Sequence, residues 1–338
     1  MMRFPPSAFS AVMATGIVSI AAYLQSLTSL AHLLLWIGGV VYGLLWLLML
    51  VRAMVTPGTL TADLSSFQHG AGLFTLPAGT FVLGSAVIIL TDDADLALLL
   101  WAAGVALWTM VTYGLCCVAI TRGYRTRLAS GLYGGSLVAI VGTQGVAVLA
   151  THLGAAGVSP RLLIHVALIF FSLGCAFYLY IMPLLVHRLL LEPVGPADLR
   201  PSYWVCMGVA AISALAGSLL AQQSSASLLL SDLRPTVVFT SLVFWAIACW
   251  WIPLLVLLGI WRHLVRGYPL TYTTSWWSMV FPIGMFAVAS HQLSDLSGFA
   301  ELHAIARGAV YCSIVVWCIT AIGAVLGGRV SSQGGRTS

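Results

Sequence analysis

The chain contains no lysine. All 14 of its basic residues are arginine, and charged residues of both signs make up only 7% of its 338 positions. A soluble domain carries about 25% charged residues, so the composition excludes one. The seven cysteines (Cys116, Cys117, Cys175, Cys206, Cys249, Cys312 and Cys318) form no C-x-x-C pair and all lie inside apolar runs. That pattern reads as small packing residues and excludes a disulfide framework or a thiolate metal centre. No P-loop, zinc motif, nucleophile elbow or basic-aromatic nucleic-acid patch occurs, and no cofactor is expected. A cleavable leader is not evident, since only Arg3 precedes the first apolar run. The single acidic cluster is Asp92, Asp93 and Asp95. An intramembrane lipid-modifying enzyme that uses aspartate-bound magnesium needs two such clusters facing one cavity, so this class is the remote alternative. The cluster reads more simply as acids at the start of a helix, where they suit its dipole.

Long apolar runs are abundant, and the mean hydropathy is +1.03. Ten of them are long enough to cross about 30 Å of hydrocarbon. Their expected spans are roughly 8–25, 31–50, 72–90, 98–119, 131–150, 162–186, 203–221, 237–261, 275–293 and 304–326. Ten helices leave only short connections, so residues 1–338 read as a single transmembrane domain: an all-α polytopic membrane protein.

Arginine placement sets the expected orientation. Eleven arginines (Arg3, Arg52, Arg122, Arg125, Arg127, Arg188, Arg200, Arg262, Arg266, Arg329 and Arg336) fall at the termini or in the loops that follow even-numbered helices. The opposite side has three: Arg161, Arg234 and Arg307. The positive-inside rule puts both termini in the cytoplasm, in a cell (inner) membrane. The cytoplasmic arginines, with Arg122, Arg125 and Arg127 closest together, would also concentrate anions at one mouth.

Odd and even helices differ in composition. The odd spans hold 42 Gly, Ala, Ser or Thr among 95 residues, the even spans 30 among 115, and nine of twelve tryptophans are in even helices. Small residues allow close helix approach or line a narrow path, whereas bulky aliphatics and tryptophan suit lipid. The odd helices are therefore expected inside and the even ones outside.

Three odd helices open alike: Ser7-Ala8-Phe9, Ser202-Tyr203-Trp204 and Ser275-Trp276-Trp277, each leading into an apolar run broken by glycine. A repeat on alternate helices points to hairpins around a shared axis, hence to a pore or transport path. The runs Val12-Met13-Ala14-Thr15-Gly16-Ile17-Val18-Ser19 and Trp276-Trp277-Ser278-Met279-Val280-Phe281-Pro282 resemble the tellurite-resistance/C4-dicarboxylate transporter family. Its members include plant slow-type anion channels, malate permeases and sulfite exporters. The resemblance implies five tandem hairpins in quasi-five-fold arrangement, inner helices around a central pore, and a homotrimer in the bilayer with one pore per subunit. It also implies a pore gate at Phe281, beside Pro282. The plant members' long tails have no counterpart here, so gating is expected to be intrinsic to the pore.

The residues themselves carry part of that reading. Pro282 lacks an N–H, so the carbonyl of Ser278 loses its helical partner and a kink could swing Phe281 toward the axis. The alternative is a ring packed against a neighbouring helix. Pro77 frees the carbonyl of Leu73 in the same way. Thr15, Gly16, Ser19, Pro77, Thr80, Gly142, Thr143 and Ser213 are candidate lining residues, since hydroxyls and exposed N–H groups solvate an anion without binding it tightly. Ordinary helix packing is the competing use. His291, close to Asp295, is the candidate for proton coupling. The expected function is passage of small inorganic anions or C4-dicarboxylates through an inner-helix pore. The alternative is a proton-coupled dicarboxylate or sulfite exporter.

Overall fold

The computed structural model describes residues 5–56, 58, 67–122 and 133–333, and every element among them is helical. Ten long helices form five hairpins. They are α1 (Ser10–Leu24) with α2 (Thr28–Val55), α3 (Thr75–Thr91) with α4 (Ala94–Arg122), α5 (Val138–Ala155) with α6 (Pro160–Leu191), α7 (Val205–Gln222) with α8 (Leu228–Ile260), and α9 (Trp277–Ser297) with α10 (Glu301–Gln333). Among the described residues nine are long and apolar enough to cross a membrane; α9, with Pro282, His291 and Gln292 in its 21 residues, is the more polar tenth.

The odd-numbered helices make a closed ring in the order α1, α3, α5, α7, α9 and back to α1. Burial separates the two sets. The spans containing α1, α3, α5 and α7 are 72–94% buried, while those of α2, α4, α6, α8 and α10 are 17–33% buried. Exposed Leu33, Trp36, Leu99, Tyr180, Trp250 and Val315 mark the outer faces. The compositional split between odd and even helices is thus a split between ring and rim.

The inner helices are shorter, at 15–21 residues, because four of them begin only after a 3₁₀ turn: Pro6–Phe9, Gly134–Leu137, Pro201–Trp204 and Thr274–Trp276. The fifth, α3, follows a short helix, Phe67–Leu73. The interruption expected from Pro77 takes the form of a break between these two helices, with Phe74 as the turn. Pro77 is the third residue of α3, in the first turn, where a missing N–H costs nothing. Pro282, in contrast, lies within continuous α9. The outer helices run to 28–33 residues, about 42–50 Å at 1.5 Å per residue, so they tilt or project beyond the hydrocarbon.

Ring and rim are joined by buried hydroxyls. Trp317 on α10 donates its indole N–H to Thr15 on α1 at 3.0 Å, closing the circle across the chain's two ends. Tyr42 pairs with Thr80 at 2.9 Å, Trp108 donates to Thr143 at 3.0 Å, and Trp245 donates to Ser290 at 2.9 Å. On α7, Ser213 accepts from Gln144 of α5 at 3.1 Å. Each inner helix therefore has at least one hydroxyl bonded to another helix. Such bonds are individually modest in a membrane, because the dissociated helices find other partners. Trp317→Phe is expected to lower stability by only about 0.6 kcal/mol, measured by thermal or denaturant unfolding in detergent.

Close backbone approach at the helix starts matters more. A Cβ on Gly134 would overlap the carbonyl oxygen of Ser202 and lie 2.7 Å from both the Ser202 carbonyl carbon and Tyr203 Cα. Backbone cannot swing aside as a flexible side chain can. Gly134→Ala should cost about 1–3 kcal/mol, as overpacking does, and lower the melting temperature more than Trp317→Phe.

The acidic cluster has a local role. The Asp93 carboxylate accepts the N–H of Leu96 at 2.9 Å and caps α4, while Asp92 takes the left-handed conformation in the turn, with φ 55°.

Candidate functional site

Two cavities lie inside the ring of inner helices. The wider, about 410 Å³, is lined by the beginnings of all five, including Ser7, Gly72, Gly135, Ser202 and Ser275. The narrower, about 80 Å³, is lined by their later halves. The two linings share one register. The narrow cavity contains Ile17, Val82, Gly145, Ile212 and Met285, and three residues further on in each helix Ile20, Ser85, Val148, Leu215 and Val288. Ten residues before the first set come Ser7, Gly72, Gly135, Ser202 and Ser275 of the wide one. Both sets are spaced by 65, 63, 67 and 73 residues along the chain. The Ser7/Ser202/Ser275 repeat is thus one ring of a five-fold pattern whose other two members are glycines.

Between the two linings, four residues before the narrow cavity's first ring, are Met13, Ala78, Val141, Gly208 and Phe281. They line neither cavity, and all are buried. Phe281 brings the only aromatic ring to this layer. Its direction follows from α9. Ser278, Met285, Val288 and Gln292 face the cavities, and at about 100° per residue Phe281 falls in the middle of that stripe. The flanks are occupied. Pro282 packs where a Cβ on Gly208 would meet its Cγ at 2.8 Å, and Gly284 lies against Ile17, whose Cγ2 would be 2.9 Å from an added Cβ. Ser290, on the far side, bonds to the rim through Trp245.

The hydroxyls singled out in the sequence have other neighbours. Thr15, Thr80, Thr143 and Ser213 make the inter-helix bonds described above, and Ser19 donates to the carbonyl of Ala31 on α2 at 2.7 Å. Gly16 is pressed against Val82, with 3.0 Å left for a Cβ, and Gly142 faces Trp108 at 3.4 Å and Pro77 at 3.9 Å. None of these eight residues lines either cavity. At Thr15, Thr80 and Thr143 the reason is register: each precedes a cavity-facing residue by two positions, which turns it about 200° away. The spacing of the apolar spans could have revealed that register. Ser290 and Gln144 take part in the same bonding and carried no motif.

The wide cavity is electropositive. Arg200, Arg262 and five inner-helix beginnings face it, and among the described residues no Asp or Glu lines it. Helix N-termini carry unpaired N–H groups and a partial positive charge. Arg262 sits in a π-helical turn, Trp261–Val265, that ends α8. It is only 8% exposed, donates to the carbonyl of Leu199 and stacks over Tyr268 at 4.4 Å. Its Nε and the Ser202 Oγ are buried without a hydrogen-bond partner. Both are donors on residues that line the cavity, so a small side-chain movement would offer them to an anion. Burial pushes the pKa of the Tyr133 hydroxyl, also in the lining, up against the pull of Arg200 and keeps it protonated. The arginines Arg3, Arg125, Arg127 and Arg336 lie outside the described residues, as do the side chains of Arg122 and Arg329.

His291 stands beside the narrow end, outside both linings. Its Nε2 is 3.6 Å from Asp295, and Asp295 is 3.2 Å from His303 Nε2 on α10.

A closed ring of membrane-length hairpins with axial cavities at both ends defines a membrane protein of the channel or carrier class. The comparisons narrow this. The voltage-dependent anion channel (SLAC1) family model matches residues 3–325, and the chain belongs to that family. Two proteins of Methanocaldococcus jannaschii, each described as an uncharacterized transporter, align along the length of the chain. One is 23% identical over 332 residues, covering 95% of this chain and 93% of the relative. The other is 24% identical over 336 residues, covering 95% and 92%. An uncharacterized membrane protein of Mycobacterium tuberculosis is 40% identical over 143 residues, or 42% of this chain and 72% of its own. The family is one of anion channels and transporters, in agreement with the resemblance carried by the α1 and α9 motifs, and that class of activity is this chain's.

Proposed function

We propose that the protein is an anion channel whose path runs along the inner ring, from the wide electropositive cavity past Phe281 to the narrow apolar one. The observation that carries this reading is the wide cavity itself: cationic, without a carboxylate among the described residues, and lined by Arg262 and Ser202, each of which holds a buried donor without a partner. Arg200 and Arg262 lie at the edge of the path rather than midway along it, which favours capture of an anion without a deep trap. The arginine-rich side that bears this cavity is the cytoplasmic one, with both termini there, in the inner membrane. Phe281 occludes the path as its gate, and Pro282, wedged at Gly208, holds that part of α9 in place. The permeants are small inorganic anions or C4-dicarboxylates, and the assembly is a homotrimer, as family membership favours.

The deciding experiment is reconstitution in planar bilayers under asymmetric chloride, nitrate and malate, with and without a pH gradient. A channel gives currents that reverse at the anion's Nernst potential whatever the pH gradient. Absence of anion-selective current from well-folded protein overturns the reading. The contact of His291 with Asp295 favours a second reading, a proton-coupled dicarboxylate or sulfite exporter. Reversal potentials that move with the pH gradient, or electrically silent flux in liposomes, would select it.

A further inference from the structure

We infer that His291, Asp295 and His303 form a binding site for a divalent transition-metal ion, of which Zn²⁺ is the best match. The three side chains come from two helices at the narrow end of the ring. His291 and Asp295 are one turn apart near the end of α9, and His303 is in the first turn of α10. Their ligand atoms all lie within 4.8 Å of one another. Asp295 faces both imidazoles, with its Oδ2 3.6 Å from His291 Nε2 and its Oδ1 3.2 Å from His303 Nε2. Bonds of about 2.0–2.1 Å to a tetrahedral ion put neighbouring ligand atoms about 3.3 Å apart. The two contacts use different carboxylate oxygens, so the ligand triangle on either oxygen already has one edge near that length, and rotation of the half-exposed Asp295 and His303 side chains shortens the others.

The chemistry of the set selects the ion. Two imidazoles and one carboxylate, with a fourth position free for water, is a donor set that zinc favours, whereas calcium and magnesium take oxygen ligands. Access is open from the aqueous side, because the Asp295 and His303 side chains are 45% and 41% exposed. His291 is the better buried partner at 18%. Its ring packs edge-on to that of His303, with centroids 4.9 Å apart.

The location gives the ion a consequence. Gln292, next to His291, lines the narrow cavity and accepts a hydrogen bond from Gln222 on α7 at 3.1 Å. A metal joining α9 to α10 clamps the turn that carries Gln292, so metal supplied from this side should slow passage through the cavity. The slowing rests on the pathway proposed above; the binding does not.

The test uses the purified full chain in detergent and reads metal first. Equilibrium dialysis against Zn²⁺ should show one ion per chain, and Co²⁺ in its place should give the visible absorption of a low-symmetry, four- or five-coordinate site. Loss of one of the three protein ligands in His303→Ala or Asp295→Asn should weaken binding about tenfold or more. His303 is half exposed, and Asp295→Asn keeps the side chain's shape, so at least one variant should keep the wild-type size-exclusion profile. Absence of stoichiometric uptake by the wild type, or uptake unchanged in both variants, overturns the site. Inhibition of flux by added Zn²⁺ is read separately. Binding without inhibition retains the metal site and rejects the clamp.

Discussion

Phe281→Ala is expected to raise anion conductance about tenfold or more at equal surface protein, since a ring lodged between two cavities is the kind of apolar constriction that holds a pore closed. The layer explains the size of the effect. Ala78, Val141 and Gly208 present little bulk there, and Met13 is flexible, so no neighbour can refill the space with a rigid group. Phe281→Leu, which keeps an aliphatic plug, should fall between the wild type and the alanine variant. Truncating a buried phenylalanine costs about 3–5 kcal/mol in a soluble core, so folded surface protein must be quantified alongside current. Wild-type conductance in the alanine variant at matched expression would sink the gate. The pathway would survive that result, and the search for its narrowest point would move to Met13.

Arg262→Gln should lower apparent anion affinity from the wide-cavity side about ten- to a hundredfold, equivalent to losing one hydrogen bond to a charged group at about 1.5–3 kcal/mol. Arg262 and Ser202 both line the wide cavity, and each has a buried donor without a partner. Glutamine retains a donor for the Leu199 carbonyl but removes the charge. Arg262→Lys keeps the charge and loses the planar stack on Tyr268, so it should recover part of the affinity. The exposed Arg200 is screened by salt, and Arg200→Gln should have a smaller effect that vanishes at high ionic strength. The readout is conductance against anion concentration on the wide-cavity side. A change in maximum conductance with unchanged half-saturation would assign Arg262 a purely structural role.

Much of the architecture was legible along the chain because a bilayer imposes simple constraints. A membrane-crossing helix must be apolar and long, so hydropathy locates it. Inner helices must approach one another closely, so small residues distinguish α1, α3, α5 and α7 from the tryptophan-rich rim. The repeat at Ser7, Ser202 and Ser275 was visible as well, although its two glycine members, Gly72 and Gly135, hid the five-fold count. The hydroxyls were harder to place. Thr15, Thr80 and Thr143 look equally suited to solvating an anion or to bonding a tryptophan, and only the direction of the side chain separates those uses. A direction depends on where each helix starts, and 3₁₀ turns shift that start by several residues.

Sequence alone determined that this is a polytopic helical membrane protein, that alternate helices differ in role, and that two of its motifs resemble those of an anion-transport family. These follow from composition and local pattern, which do not need a fold to be read. Tertiary structure decided the rest. It closed the ring by packing α9 against α1, and it tied the rim to α1 by bonding Trp317 to Thr15 across 302 positions of sequence. It gathered Arg262, Ser202 and five helix beginnings around one cavity, and it brought His303 to His291 and Asp295. Each of these depends on the rotation of one helix against another. That rotation is set by close packing of groups far apart in the chain, as where Pro282 fills the space a side chain at Gly208 would need.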